Sequence, residues 1–398
     1  MDHLIEKYRR RLAYIETVFV RSAMQTINWN ARLIGIKGAR GVGKTTLMLQ
    51  YIKLQLADQL ASTLYVSIDN IWFSQNSLSS LVDNFVKKGG KYLFLDEVHK
   101  YPHWSVEIKN LYDDYPMLKI VFTGSSLLEI HNARADLSRR AVVYTIQGLS
   151  YREYLNMDLN IHLESYSLEE ILAQHADITS QICETIKPLQ HFSGYLSSGY
   201  YPFYKEYIDL YHTRIEEVVN MILEVELPQL RNINLAYLPR LKQLLLIIAQ
   251  SAPFVPNISK LSERIGINRE TLLVYLWHLS ESQLIFSVYK DAGGISKLQK
   301  PDKLFVDNTN FMFALGYDNV NTGNLRETFF LNQLKHKHKI EIAKQGDFII
   351  NGKHTFEIGG QHKTKRQIKT IDNAYIAADD LEYGFDNKIP LWLFGFLY

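Results

Sequence analysis

Apolar residues fall along the chain in two rhythms. Between residues 31 and 150, five short continuous apolar runs alternate with longer stretches of helical periodicity; the runs are 33–37, 63–69, 91–97, 119–123 and 141–146. A strand with one wet face alternates apolar and polar side chains, whereas a strand covered on both faces reads as an unbroken apolar run. The pattern therefore predicts a parallel sheet with helices on both faces, a doubly wound α/β unit. The first thirty residues read as helical and lead into it.

From Ser150 to about Leu230 the rhythm turns helical, and its glycines cluster in Gly194-Tyr-Leu-Ser-Ser-Gly199-Tyr-Tyr-Pro202. That cluster reads as a turn between helices. Three helical stretches follow, Leu238–Ser251, Ile258–Ile265 and 269–282. Gly266-Ile267-Asn268 turns the chain before the third, and Asn268 is placed to cap it. Two strand-like runs, 284–289 and Lys303–Val306, are joined through Gly293-Gly294. Three helices and a hairpin outline a winged helix-turn-helix over residues 235–310. Residues 321–398 read as a small mixed α/β segment.

Composition changes this picture little. The 398 residues are 46% hydrophobic and 22% charged, as in a soluble globular protein, and are long enough for more than one domain. A formal net charge of +2 removes any global electrostatic case for nucleic acid. One cysteine, Cys183, excludes a disulfide framework and a cysteine-rich zinc site. The N-terminal residues carry three consecutive arginines, Arg9 to Arg11, and lack the apolar core of a secretory signal. No apolar run approaches the roughly 20 residues that cross a bilayer. A cytoplasmic protein without membrane partners is the expectation.

The chemistry is most legible in Gly38-Ala39-Arg40-Gly41-Val42-Gly43-Lys44-Thr45, which meets every fixed position of G-x-x-x-x-G-K-[ST]. A triphosphate needs several donors converging on it. Glycines let backbone N–H groups wrap that closely, and a helix start aims its positive end at the anion. The expected ATP contacts run from Gly38 through Thr45 to Thr46. Lys44 would reach the β/γ oxygens, and the Thr45 hydroxyl would ligate Mg2+. The run 91–97 ends in Asp96 and Glu97, two carboxylates at the sheet edge where ligands bind in open α/β folds. Asp96 is expected to hold the magnesium and Glu97 to polarise the attacking water. The next run ends in Phe122-Thr123-Gly124-Ser125-Ser126, which could bring Ser125 to the terminal phosphate. Arg139 and Arg140 precede the fifth run, and an arginine there can stabilise charge on a transferred phosphoryl group, from the same or a neighbouring chain.

Taken together, Gly38 to Thr45, Tyr92-Leu-Phe-Leu-Asp96-Glu97-Val98-His99-Lys100-Tyr-Pro-His-Trp104 and Thr123-Gly-Ser-Ser126 resemble the prokaryotic AAA-type ATPases that carry a C-terminal domain of unknown function. Leu137-Ser-Arg139-Arg140 matches the place of that family's Gly-Arg, with Arg139 at the glycine and Arg140 as the carried-over arginine. Leu149-Ser150-Tyr151-Arg152-Glu153-Tyr154 and Gly199-Tyr-Tyr-Pro202 match two further elements. The resemblance implies ATP and Mg2+ as ligands and ATP hydrolysis. It also implies a P-loop ATPase core (1–150), a helical lid (151–234), a winged helix (235–310) and a restriction-endonuclease-like tail (321–398). Asp96-Glu97-Val98-His99 has the spelling of a helicase box, but no second α/β motor unit follows it.

The tail offers Glu327, Asp347 and Glu357 in the order of a PD-D/E-x-K nuclease, with Gly359 at the lysine position. Only a displaced Lys363 could substitute, so a binding or packing role is expected rather than cleavage. Residues 326–369 hold ten Lys/Arg against four Asp/Glu, a local surplus that could serve DNA phosphates. The expectation is a nucleotide-driven switch or remodeller. Its rivals are an ATP-gated nucleic-acid-binding protein or nuclease and a non-hydrolysing scaffold for a protein partner. A homo-oligomer is required if Arg140 acts in trans.

Overall fold

The apolar runs of the N-terminal third do pair as parallel strands. In the computed structural model they are β1 (Leu33–Lys37), β2 (Thr63–Ser67), β3 (Tyr92–Asp96), β4 (Lys119–Gly124) and β5 (Val142–Thr145), in the order β2-β3-β4-β1-β5. The structure describes residues 1–124, 137, 139–206, 208–231, 233–251, 253–290, 299–316 and 320–398. They divide into two compact units, Met1–Gly148 and Leu149–Tyr398.

In the first unit β1 to β4 are buried almost throughout, with Leu33, Leu64, Leu93, Ile108 and Ile120 in one core. The fifth run departs from the expectation of burial on both faces: Val142 and Val143 are exposed. Among the described residues β5 is the sheet's edge, bonded to β1 alone, so an apolar composition there does not report a second covering layer. Helix α1 (Asp2–Tyr14) buries Leu4, Tyr8 and Leu12 and packs beside the opposite edge strand, β2. The helical reading of the first thirty residues fails beyond it, because only Ala23–Thr26 (α2) is helical again. The cause lies in α3 (Lys44–Gln55). Its Gln50 amide donates to the carbonyls of Glu16 and Phe19, and its Lys53 to those of Ala13 and Ile15. Side chains thus satisfy carbonyls that a continued helix would bond to its own amides. Arg21 completes the arrangement by donating to the carbonyls of Val42, Gln147 and Gly148. Helices α4 (Leu78–Lys87) and α5 (Trp104–Asp114) complete the covering of the sheet.

The second unit begins with two helices that open on capping boxes: α6 (Tyr151–Leu159) on Ser150 and Glu153, α7 (Leu168–Thr185) on Ser167 and Glu170. Helix α8 (Pro188–Ser198) contains Gly194, and Gly199 is its C-cap, so the first glycine lies within a helix and the second ends it. A methyl group on Gly199 would lie 2.6 Å from the Tyr195 ring and 2.7 Å from the Tyr154 ring. Next come α9 (Tyr211–Met221), α10 (Leu238–Ser251), α11 (Ile258–Ile265) and α12 (Arg269–Glu281), the last capped by the Asn268 side chain. β6 (Ile285–Val288) and β7 (Lys303–Val306) form an antiparallel pair, and Phe254 bridges to Leu304 on its other side. After α13 (Thr309–Gly316) and α14 (Thr322–Leu334), a mixed sheet takes the order β12-β11-β10-β9-β8. Its strands are β8 (Ile340–Ile342), β9 (Phe348–Ile350), β10 (His354–Gly359), β11 (Ala374–Ala378) and β12 (Lys388–Pro390). β8, β9 and β10 alternate in direction, and β10, β11 and β12 run parallel. The last residues close the unit on its first helix, where Ser150 Oγ and Arg152 Nε both donate to the Tyr398 carbonyl. No helix among the described residues is long and apolar enough to cross a membrane.

Candidate functional site

The loop leaving β1 has the backbone that an anion cradle needs. Gly41 and Gly43 take φ of 84° and 92°, the left-handed region that favours glycine, and Gly43 is the N-cap of α3. That cap has no side chain to offer the first-turn amides of α3, so they point toward an outside acceptor. Gly38 is required for a different reason. A methyl group there would sit 2.2 Å from the backbone oxygen of Ile146, at the end of β5. Lys44 is buried, and its Nζ donates to the carbonyls of Gly38 (3.0 Å) and Ala39 (2.7 Å), inside the loop it belongs to. Val42 is buried as well, while Arg40 and Thr46 lie nearer the surface.

β4 stands between β1 and β3 in the sheet, so the end of β4 separates the loop from the two carboxylates. Thr123 occupies that end, in register with Ile36. Its hydroxyl donates to Asp96 Oδ1 and accepts from the Glu97 amide at 3.1 Å. On the other oxygen, Asp96 Oδ2 accepts from Thr45 Oγ1 at 2.6 Å and from the Tyr65 hydroxyl at 2.8 Å. Asp96, only 3% exposed, is thus held by three hydroxyl donors. A threonine that gives its proton to a carboxylate keeps its lone pairs turned elsewhere. Hydroxyl and carboxylate oxygens are the hard donors magnesium prefers, and magnesium takes one or two protein oxygens and completes its shell with phosphate and water. The residues present fit that ion.

Glu97 follows in the left-handed conformation, φ 58° and ψ 40°. This is an uncommon state for a residue with a side chain and belongs with strain kept at functional sites. Its Oε2 is buried with no hydrogen-bond partner; Lys100 Nζ lies 3.5 Å away and His99 Nε2 3.7 Å. Burial pushes the His99 imidazole down to about 4, against the pull of Glu97, so near neutral pH it stands beside Glu97 uncharged.

Residues 30–155 match a family model described as "AAA domain". Residues 30–155 form an AAA+-type P-loop NTPase domain. The chain is also 27% identical over 381 residues to the uncharacterized protein MJ1637 of Methanocaldococcus jannaschii, covering 87% of this chain and 79% of that one. Among solved structures, C. elegans PCH-2 aligns at a TM-score of 0.25 and 17% identity, over 44% of this chain and 46% of its own, less than half its length. AMPPCP-bound DnaA from Aquifex aeolicus aligns at 0.27 and 13%, over 65% and 84%.

The first unit has a cavity of about 560 Å³ beside Thr45, Asp96 and Glu97. Its remaining lining includes Arg40, Asp69 and Lys100, together with Arg10, Arg11 and Tyr14 from the last turn of α1. The sequence reading singled out the arginine run but found no role for it, and it missed Tyr65 altogether. Asp69 accepts from Ser67 at 2.5 Å and faces Lys100 at 3.7 Å, as a turn residue at the cavity's side. Ser125 lies outside the described residues. Arg140 lies two residues before the start of β5, where Val142 pairs with Ile34 near the start of β1. That is the edge of the parallel sheet opposite Lys44 and Asp96. There its guanidinium forks onto Asp113, at 3.0 and 3.1 Å. Within one chain the structure does not bring Arg140 to the phosphate loop.

In the second unit, Glu357 on β10 is 1% exposed, and Lys363 Nζ reaches its Oε1 at 2.8 Å. A methyl group on Gly359 would collide with the Lys363 stem, so that side chain fills the space above the glycine. Asp347 accepts from the Ile358 amide at 2.7 Å, and Glu327 lies 3.4 Å from Lys303. Burial raises the Glu327 carboxyl's pKa, with Lys303 opposing and Asp347 adding to the rise. Among the described residues no three His, Cys, Asp or Glu side chains gather to hold a metal.

Proposed function

We propose that the protein is a magnesium-dependent ATPase whose cycle drives a conformational switch or remodelling step. The observation that carries this reading is the meeting of Thr45 and Asp96 at 2.6 Å beneath the glycine loop, with Glu97 next in the chain. Gly38 to Thr46 would cradle the triphosphate through backbone amides, and Lys44 would exchange its two carbonyl partners for phosphate oxygens. Thr45 and Asp96 would hold magnesium, which would supply positive charge against the triphosphate. Glu97, whose Oε2 lies 3.5 Å from Lys100 Nζ, would accept a hydrogen bond from the attacking water. Arg140 would stabilise the transferred phosphoryl only on the nucleotide of a neighbouring copy, which makes a homo-oligomer part of the reading.

For the second unit, the capped helix α12 beside the β6–β7 pair supports a winged helix, and the mixed sheet with Glu327, Asp347 and Glu357 supports a restriction-endonuclease-like tail. The pairing of Lys363 with Glu357 favours a tail that binds or packs over one that cuts.

The test is phosphate release by the full chain, across protein concentrations and with or without duplex DNA. Glu97→Gln is expected to lower turnover by about 100-fold or more while ATP still binds. Wild-type turnover in Glu97→Gln would remove the catalytic assignment. ATP binding without release by the wild type would leave the scaffold reading, and a rate per chain independent of concentration in a monomer would remove the trans role of Arg140.

A further inference from the structure

The magnesium carboxylate is tied to the N-terminal helix. Tyr65 sits on edge strand β2, in the strand pairing that aligns Ser67 with Asp96, and is 3% exposed. Its ring lies against Tyr8 of α1, centroids 6.3 Å apart. Its hydroxyl accepts from Arg11 Nη1 at 3.2 Å and donates to Asp96 Oδ2 at 2.8 Å. A guanidinium can only donate, so the phenol oxygen must accept on that side, and its single proton is left for Asp96.

Resting on the reading of this site as a magnesium–ATP site, we propose that Tyr65 and Arg11 are positioning residues that set its divalent-metal affinity. Asp96 Oδ2 takes one proton from Thr45 and one from Tyr65. Without the phenol, the buried carboxylate loses the donor that fixes its orientation from the β2 side, and the oxygen offered to the metal is less well placed. Arg11 strengthens that donor by polarising the phenol, because hydrogen bonds from ionised groups are stronger and propagate along a chain. Arg11 is itself exposed, at the last turn of α1 on the cavity wall. Anything that draws α1 off β2 therefore loosens the metal site without touching the phosphate loop.

The experiment titrates Mg2+ into the full-length protein saturated with a fluorescent, non-hydrolysable ATP analogue, and separately measures analogue affinity in excess chelator. Tyr65→Phe keeps the ring and is expected to raise the Mg2+ concentration at half-saturation by about five- to tenfold. Metal-free analogue binding should be unchanged. Arg11→Ala is expected to shift it by about two- to fivefold, with Arg11→Lys recovering most of that. In the Tyr65→Phe background Arg11→Ala should add nothing, because its path to the metal is gone. A Tyr65→Phe titration that overlays the wild type would overturn the proposal, as would an Arg11→Ala effect that persists undiminished in the double variant. Equal weakening with and without metal would reassign both residues to packing. A wild type whose analogue binding does not depend on Mg2+ would instead refute the magnesium–ATP reading itself. Arg11 is a surface residue, so its variants keep the test available should Tyr65→Phe misfold.

Discussion

Gly38→Ala is the sharpest perturbation of the phosphate loop, because its nearest obstacle is backbone. The added methyl would lie 2.2 Å from the Ile146 oxygen, 3.2 Å from the Ile146 carbonyl carbon and 3.3 Å from Val42 Cγ2. An ordinary carbon–oxygen contact begins near 3.2 Å, so roughly 1 Å must be found by moving main chain. Little of it can come from β5, since the Ile146 amide is bonded to the Lys37 carbonyl at 2.7 Å. The loop itself must move, and with it the amides meant for phosphate. Overpacking of this kind costs about 1–3 kcal/mol of stability. A 1 Å displacement of binding groups costs on the order of 100-fold in turnover. Gly89→Ala is the matched control, with φ of 89° but nothing within 4 Å of the new methyl. It should lose about 1 kcal/mol and no activity. The assay pairs thermal melts with and without Mg–ATP against steady-state phosphate release. Gly38→Ala is expected to abolish the nucleotide-induced rise in Tm, and Gly89→Ala to keep it. A Gly38→Ala protein with wild-type nucleotide stabilisation and turnover would refute the steric account of the loop.

Thr123→Val removes a fully buried hydroxyl that both donates to Asp96 and accepts from the Glu97 amide, so it leaves two buried groups short of a partner. Phosphate release should fall at least about tenfold with a loss of about 1–3 kcal/mol in denaturant unfolding, and Thr123→Ser should restore most of both. For His99 the folded-state value of about 4 lies below the unfolded value of about 6.5. Its contribution is therefore complete above about pH 6.5 and is lost as pH falls toward 4, up to about 3 kcal/mol. Urea midpoints measured from pH 7 to pH 4.5 should fall more steeply for the wild type than for His99→Gln, and parallel slopes would contradict the buried neutral imidazole.

The strands, the glycine loop and the paired carboxylates were legible because each is a local pattern with one physical meaning. Four strands covered on both faces read as apolar runs, and Asn268 announced a helix start by a side chain that caps within its own turn. What escaped depended on pairing order. Val142 and Val143 look like interior residues until β5 is known to be the sheet edge. Arg140 is basic and near the expected position, but only the parallel register puts it at the edge away from Lys44. The Arg11–Tyr65–Asp96 chain joins residues far apart in sequence and exists only because α1 docks beside β2 and β2 pairs with β3. The irregular stretch after α1 was hidden for a similar reason, since its carbonyl partners are side chains of α3.

Charge counted along a window misleads in the same way, and this bears on the choice of partner. The excess of basic residues over 326–369 suggests a face for nucleic-acid phosphates. In the fold, Arg326 bonds Asp379 at 2.7 Å and Asp380 at 3.4 Å, and Lys335 forms a buried pair with Asp307 at 2.6 Å, all three acids lying outside the window. Lys363 and Lys339 are taken by Glu357 and Glu341, and Lys337 donates to the Leu397 carbonyl. Neutralising a phosphate with a lysine already paired to a carboxylate releases fewer counterions and adds the loss of the existing pair. At the start of α12 the Asn268 oxygen is already engaged by the Thr271 amide, which removes one of the few polar groups that could read a base edge. Half of the window's ten cations are thus answered from within the fold, which reduces the surplus left for a polyphosphate. The expected outcome is a weak and shallow salt dependence of any DNA binding, read as the slope of log affinity against log salt; a steep slope would restore the window as a phosphate-binding face.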